Sequence, residues 1–570
     1  MKSNHTISQI TIALTTLLFC MPDLTGIRAQ IQFDWAITQG GNDSDLTGSC
    51  KLDDQGGLYT TVSFRDTADL DPGPGVNMVF VADDEVFVLN KYSQDGQYLW
   101  SSQFRTKGDA GGQIAEIKNN RILLIVYYTD SLIYMHHTPW IAANPGHNIA
   151  AISMNLEGQI ISYRPIARTE DMYFSDFQTQ PDGTILAGGG FGGTITFNTP
   201  DSTRTLISKG EYDAFVARFN DQLQLDWITL FAGTGDDFTE SVFIGKDKNI
   251  YYAVIHDSTV VVTTNHGELI SPAEGEDNSL FGWILPDGSV ERAYIFGGDL
   301  GDQIRNIVSD TDGNMYINGY YTGTVNFQHP SGTPVVFTDL EEGEGFIAKY
   351  APDGFLAWAR VFTNGEYGGV YTMSLHRNTD LYFSGGFNLI SDLDPGPDSI
   401  IVDGGYDGDL FAGKMSTDGN LAWVYPFFGS DDEGIRNVVP GTDGKVFIHG
   451  YYYGDLDCDP GPDSFDIQTQ GGSDVFLIGF TEENVISSTR NIAQFDVTLF
   501  PNPVTTELKL TTKVNLQEVS VYAMDGQQLN VPVSFDSNLA RVSVSSLPAG
   551  TYLVRVKTGN AYSCAKFVKT

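Results

Sequence analysis

The chain has 570 residues and a formal net charge of −40, from 32 Lys and Arg against 72 Asp and Glu. So negative a chain repels nucleic acid and anionic membranes, which excludes nucleic-acid binding and favours cations or basic partners, besides plain solubility in salt water. Its 62 Gly and 12% aromatic residues exclude a disordered chain and fit a β-rich extracellular protein.

The N-terminus reads as a signal peptide over residues 1–29, with Lys2, a short apolar run from Ile10 to Phe19, and cleavage expected after Ala29. The run is too short and too rich in Thr to anchor in a bilayer, and no other stretch is long and apolar enough to span one. Cys20 invites a lipoprotein reading, but Phe19 is bulky where a lipobox needs a small residue. Cleavage leaves Cys50, Cys458 and Cys564, an odd count that makes no disulfide framework.

From residue 30 to 488 the chain repeats. Trp35, Trp100, Trp227, Trp358 and Trp423 mark the period, Tyr163 and Arg292 fill two vacant places, and the intervals are 65, 63, 64, 65, 66 and 65. A fixed period of this size means stacked copies of one supersecondary unit. Each copy alternates apolar and polar residues between tight turns, as at Asp312-Gly313, Asp353-Gly354 and Asp418-Gly419, which predicts four short antiparallel strands. Four strands in seven copies predict an all-β fold, a seven-bladed β-propeller. The segment Phe33-Asp34-Trp35 is the spare fourth strand, expected to complete the last blade and close the ring. The Trp positions read as packing between blades. If the first strand of each copy lines a channel, the Trp strand is outermost and the long second-to-third loops share one face.

That face collects acids. A carboxylate falls eight to ten residues past each anchor, at Asp45, Asp109, Asp171, Asp236, Asp302, Glu366 and Asp432. Seven carboxylates converging on a channel mouth would focus a negative field and form a candidate ring for a cation or basic ligand; alternatively, each caps a turn and faces water. The loops Asp69-Leu-Asp71-Pro-Gly-Pro, Asp392-Leu-Asp394-Pro-Gly-Pro and Asp455-Leu-Asp457-Cys-Asp459-Pro-Gly-Pro-Asp463 carry Asp at alternate positions. Asp455, Asp457, Asp459 and Asp463 are candidate calcium ligands, although the distal Glu of an EF-hand is missing and a stiff structural turn explains the pattern as well.

From about Phe495 the period stops. Residues 491–570 hold seven Lys and Arg against five Asp and Glu, so the repeat region carries the negative charge. Residues 489–494 read as a linker and 495–570 as a separate small β-sandwich.

Two resemblances follow. The segments Asp312-Gly-Asn-Met-Tyr-Ile-Asn-Gly-Tyr and Asp443-Gly-Lys-Val-Phe-Ile-His-Gly-Tyr resemble bacterial β-propeller repeat proteins. The tail, with Leu499-Phe-Pro-Asn-Pro-Val504, Leu547-Pro-Ala-Gly-Thr-Tyr and the terminal Lys566-Phe-Val-Lys-Thr570, resembles the type A C-terminal sorting domain of type IX secretion substrates. Its motif residues here are Pro501, Asn502, Pro503, Gly550 and Lys566. The resemblance implies contact with the secretion machinery, export across the outer membrane, removal of the tail, and an extracellular or surface location.

Catalytic signatures are sparse. His136, His137 and His147 lie close together in the most divergent copy, and no nucleophile elbow, His-Glu-x-x-His or phosphate loop occurs. The expected function is therefore a monomeric surface or secreted binding protein, taking a glycan or protein on its acidic loop face. A polysaccharide hydrolase or lyase using that face, and a structural surface component, stand as alternatives. Tyr320, Tyr321, Tyr451, Tyr452 and Tyr453 are candidates for stacking against a sugar.

Overall fold

The computed structural model describes residues 31–482 and 498–570, apart from short segments that include 72–76, 80–84, 135–139, 273–276, 328–334 and 339–342. The signal peptide, the linker, His136, His137, Asp109 and Glu366 lie outside the described residues. Among the described residues every element is a β-strand, and no helix is long and apolar enough to cross a membrane. The chain divides into two compact bodies, residues 29–484 and residues 485–570.

In the first body residues 46–231 join in one eleven-stranded antiparallel sheet, and from Asp237 onward each period folds as an antiparallel group of four strands, the first of them extended by two more. The group at 302–362 is representative: Asp302–Ser309, Met315–Tyr321, Glu344–Tyr350 and Leu356–Phe362, paired in chain order. Its second strand is buried along nearly its whole length, and Ile250–His256 and Leu58–Phe64 are buried throughout. Middle strands covered on both faces read as continuous apolar runs, whereas the first and fourth strands are only half covered. No repeat has a core of its own. One cluster joins Tyr251, Phe281 and Phe296 to Ile304, Met315 and Phe346 of the following repeat. Burial of each such side chain stabilises by about 1.5–3 kcal/mol, so stability comes from stacking neighbours. The N-terminal strand Ile31–Gln39 pairs with Asp474–Glu482, and Lys445 Nζ meets Asp34 at 2.9 Å.

The Trp residues join consecutive repeats on the outer strand. The indole Nε1 of Trp35 donates to Gln94 O at 3.0 Å, Trp100 to Leu156 O at 3.2 Å, Trp227 to Pro286 O at 3.1 Å and Trp358 to Thr417 O at 3.3 Å. Each acceptor sits in the third-to-fourth-strand turn of the next repeat. Trp423 donates instead to the Glu482 carboxylate at 2.8 Å. A basic residue stands opposite the Trp across the ladder and shares its acceptor: Lys91 on Leu156 O, Arg218 on Pro286 O, Lys349 on Thr417 O. The anomaly at Arg292 has a simple cause. There the pair is exchanged, with Trp283 on the third strand opposite Arg292, and Tyr294 covers the next turn at Gly354.

In the second body, two four-stranded sheets enclose Val504, Leu508, Val521, Val542, Val554 and Phe567. Asn502 clamps the terminal strand Ala561–Lys569: its amide donates to Lys566 O at 3.1 Å and its Oδ1 accepts from Val568 N at 2.8 Å. Gly550 pairs with Lys569 at the same end of that strand. Pro501, Asn502, Pro503, Gly550 and Lys566 therefore gather on one terminal strand and its partners.

Trp358→Phe keeps the ring but removes the N–H; it should cost about 1 kcal/mol by urea unfolding, since Lys349 still satisfies Thr417 O. At Gly419 φ is +78° and an added Cβ would lie 3.1 Å from the Trp358 ring, so Gly419→Ala should cost more, above about 1 kcal/mol. Equal stability of all three proteins would remove the Trp contacts from the account of the fold.

Candidate functional site

The first strand of each group borders a shared cavity of ≈ 1520 Å³. In five consecutive repeats this strand carries a β-bulge at the same place: its pairing with the second strand skips Ser175, Glu240, Arg305, Tyr371 and Arg436. These residues recur at intervals of 65, 65, 66 and 65, and all five line the cavity. A bulge adds a residue without a ladder partner and re-aims its side chain. The cavity wall is thus an inner tier of bulged residues, small at Ser175 and charged or aromatic from Glu240 to Arg436.

Within this tier Arg305 Nη1 binds Glu240 Oε2 at 3.1 Å, and its guanidinium lies 5.8 Å from the Tyr320 ring centroid. Arg436 lies 5.8 Å from the Tyr451 ring centroid and has no ion pair among the described residues. Glycines on the first strand make room for rings from the second. A Cβ at Gly434 would meet Tyr451 at 2.4 Å, and one at Gly111 would meet the Tyr127 hydroxyl at 2.2 Å. Tyr127, Tyr173, Phe238, Tyr371, Tyr406 and Tyr451 all face the cavity. Burial lifts the Tyr173 hydroxyl above its usual pKa and Glu240 adds to this, while Arg436 and Arg305 oppose it. Below, Lys51 Nζ donates to Ala115 O at 2.9 Å. Burial pushes its ammonium pKa down and Asp176 pulls it back; the Asp176 carboxyl is itself held up at about 6 by burial, with Lys51 opposing.

The predicted acidic ring does not share one environment. Asp171 and Asp432 are exposed and line the cavity, and the Tyr212 hydroxyl donates to Asp171. Asp45 and Asp302 are instead sealed in the protein at 1% and 0% exposure. Asp45 accepts from Gly41 N at 3.0 Å, and Asp302 from Thr322 N at 3.2 Å. Asp236 is half-buried away from the cavity, and its neighbour Asp237 holds the buried position, accepting from Gly233 N. In the last repeat Glu433, beside Asp432, is the inward carboxylate.

A second acidic series, unread in the sequence, opens the third strands: Glu85, Asp213, Glu344, Asp409 and Asp474, with Asn148 and Asn278 in the remaining copies. It meets the first series between neighbouring repeats. Burial raises Asp45 to about 8, with the Gly41 and Arg65 amides opposing and Asp474 adding to the rise. Burial likewise raises Asp237 to about 7, with Gly233 opposing and Asp213 adding, and Glu433 to about 9, with Asp409 adding.

The loop aspartates bracket turns. Asp457 Oδ1 accepts from Asp459 N at 3.0 Å and Phe465 N at 2.9 Å, and Asp459 Oδ1 accepts from Gly461 N at 2.8 Å. Asp69 and Asp392 repeat the same two-residue and eight-residue reach. Asp455 and Asp463 are exposed. Among the described residues no three His, Cys, Asp or Glu side chains converge as a metal site. Of the candidate tyrosines, Tyr321 and Tyr452 are buried core, Tyr451 lines the cavity, Tyr320 carries Arg305, and Tyr453 lies 6.4 Å from Tyr451.

Residues 498–570 match the secretion system C-terminal sorting domain. The chain therefore carries a type IX sorting tail and is a β-rich protein delivered to the outer-membrane surface or beyond it. An uncharacterized WD repeat-containing protein of Acanthamoeba polyphaga mimivirus is 23% identical over 215 residues, which is 36% of this chain and 14% of that protein. Among solved structures, a protein of unknown function from Bacteroides caccae is 14% identical at a TM-score of 0.28, covering 57% of this chain and 87% of the other. The PQQ-bound aldose sugar dehydrogenase of Streptomyces coelicolor is 8% identical at a TM-score of 0.28, covering 80% and 99%.

Two measurements test this geometry. Because Asp45, Asp237 and Glu433 keep protons that the unfolded chain releases above about pH 4, stability is full below that pH and falls as pH rises, levelling off above about pH 9. The combined change Asp45→Asn, Asp237→Asn and Glu433→Gln should flatten the calorimetric Tm–pH curve; an unchanged slope would place the protons elsewhere. Asp457→Ala should lower stability by about 1–2 kcal/mol through two freed amides, equally in calcium and in chelator. A loss confined to calcium buffer would make Asp457 a metal ligand.

Proposed function

We propose that the repeat region, residues 30–488, is a seven-bladed β-propeller that binds a glycan in its central cavity. On this reading the protein is bacterial, loses its signal peptide at Ala29, and leaves the cell through a type A sorting domain over residues 495–570. Ring closure is supported by the pairing of Ile31–Gln39 with Asp474–Glu482 and by the Trp contacts running from each repeat to the next. The observation that carries the binding reading is the bulged tier. Five consecutive repeats turn one first-strand residue into a single cavity, and aromatic rings stand around it.

Aromatic faces cover the apolar C–H face of a sugar, while neighbouring polar groups take its hydroxyls. Tyr371 and Tyr451 are half-buried here, and Tyr127 and Tyr173 stand 45% and 52% exposed beside the same space. Asp171 and Asp432 at the mouth supply acceptors for hydroxyl donors. The described acids proposed for a ligand thus divide, with these two open to the cavity, Asp45 and Asp302 buried, and Asp236 half-buried.

Glycan-array screening of the purified protein should return a defined set of sugars, and Tyr371→Ala and Tyr451→Ala should each weaken the best of them at least about tenfold by calorimetric titration, the scale of one lost aromatic contact. Silence across the array, or full affinity in both variants, would remove the cavity as a glycan site.

A further inference from the structure

Resting on the glycan reading of this cavity, we infer that the ligand carries a carboxylate, as a uronate sugar does, and that Arg305 and Arg436 receive it on either side of Tyr371. Among the described residues three cations line the cavity: Lys51, Arg305 and Arg436. Lys51 is spoken for by the Ala115 carbonyl and the half-buried Asp176. Arg305 gives one nitrogen to Glu240 and rests on Tyr320. Arg436 rests on Tyr451 and, among the described residues, has no carboxylate within ion-pair distance, in a chain where acids outnumber bases 72 to 32. A guanidinium that finds no intramolecular acid there is held by its aromatic neighbour and by the bulge that aims it.

The placement is also geometric. Arg305, Tyr371 and Arg436 occupy the same bulged position in three successive repeats. A sugar ring lying on Tyr371 would present its edge substituents to a guanidinium on each side. The guanidinium fork matches a carboxylate through two parallel N–H donors, a geometry that a Lys ammonium lacks.

The acids at the mouth sharpen the choice of ligand. Asp432 immediately precedes the strand Glu433–Pro440 that carries Arg436 four residues on, about 13 Å at the rise of an extended chain. An entering ligand therefore meets acceptors at the rim and guanidinium donors below. Free phosphate or another small polyanion is opposed at the rim. A sugar donates its hydroxyls there and carries one anionic group inward.

Calorimetric titration of the full-length protein with an oligogalacturonate, its carboxyl-reduced neutral counterpart and a sulfated oligosaccharide of equal length tests this directly. The oligogalacturonate should bind at least tenfold more tightly than the reduced form, and its affinity should fall as salt rises. Arg436→Met and Arg436→Lys should both lose at least tenfold on the oligogalacturonate, the Lys variant because the fork is gone. Both should leave the melting temperature unchanged. Equal binding of the acidic and reduced sugars, or wild-type affinity in Arg436→Met, would overturn the inference and leave the glycan reading standing. Preference for the sulfated sugar would replace carboxylate by sulfate and overturn it too. Silence of all three sugars, with silence on the array, would remove the glycan reading and this inference together.

Discussion

The molecule depends on one contact, repeated: an indole N–H on the outer strand of one repeat donating to a turn in the next. Hydrogen bonds of this kind are worth about 1 kcal/mol each, little beside the apolar burial between stacked sheets. Their value is directional. Apolar faces tolerate sliding and tilting, whereas a Trp ring seated over Gly96, Gly288 or Gly419 with its N–H on a fixed carbonyl does not. The contact sets the angle between neighbouring sheets at the rim and so sets where the first strands stand at the centre. No disulfide assists among the described residues. Cys50 and Cys458 are free and buried, and burial pushes both thiols up in pKa, so neither is a ready nucleophile.

Fixed first strands make the bulges useful. A bulge in an isolated sheet only kinks a strand. Here the same bulge at the same depth in five repeats brings Ser175, Glu240, Arg305, Tyr371 and Arg436 to one cavity, although about 260 residues of chain separate the first from the last. The identity of each is free to vary, because none takes part in the ladder. Scaffold and site are therefore encoded separately, by the Trp and its glycine on the outside and by the unpaired residue within.

This division explains what the sequence discloses. Trp, Asp-Gly turns and alternating strands recur because each copy solves the same packing problem, so the all-β repeat architecture and even the partner of the N-terminal strand can be read by counting. The site does not recur in identity, so counting alone misses it. The bulged residue falls 12 or 13 places past each anchor, but Ser, Glu, Arg, Tyr and Arg share no chemistry that would draw the eye. The acids recur in type without recurring in environment. Asp236 and Asp237, or Asp432 and Glu433, look interchangeable on paper, yet strand alternation sends one into the seam between repeats and leaves its neighbour outside. Only the pairing register decides which.

The buried acids also change the meaning of the net charge. Burial raises the carboxyls of Asp45, Asp237 and Glu433 to about 8, 7 and 9, with Asp474, Asp213 and Asp409 adding to the rise, so these groups give up their protons less readily than exposed acids and contribute less negative charge than the formula counts. Asp171, Asp432 and Arg436 line the cavity as exposed side chains, and Arg305 lines it half-buried. A uniformly acidic funnel would attract only cations. On the reading proposed above, a cavity that presents both carboxylates and guanidiniums discriminates by where a ligand carries its charge, which a rigid scaffold can enforce and a flexible loop site cannot.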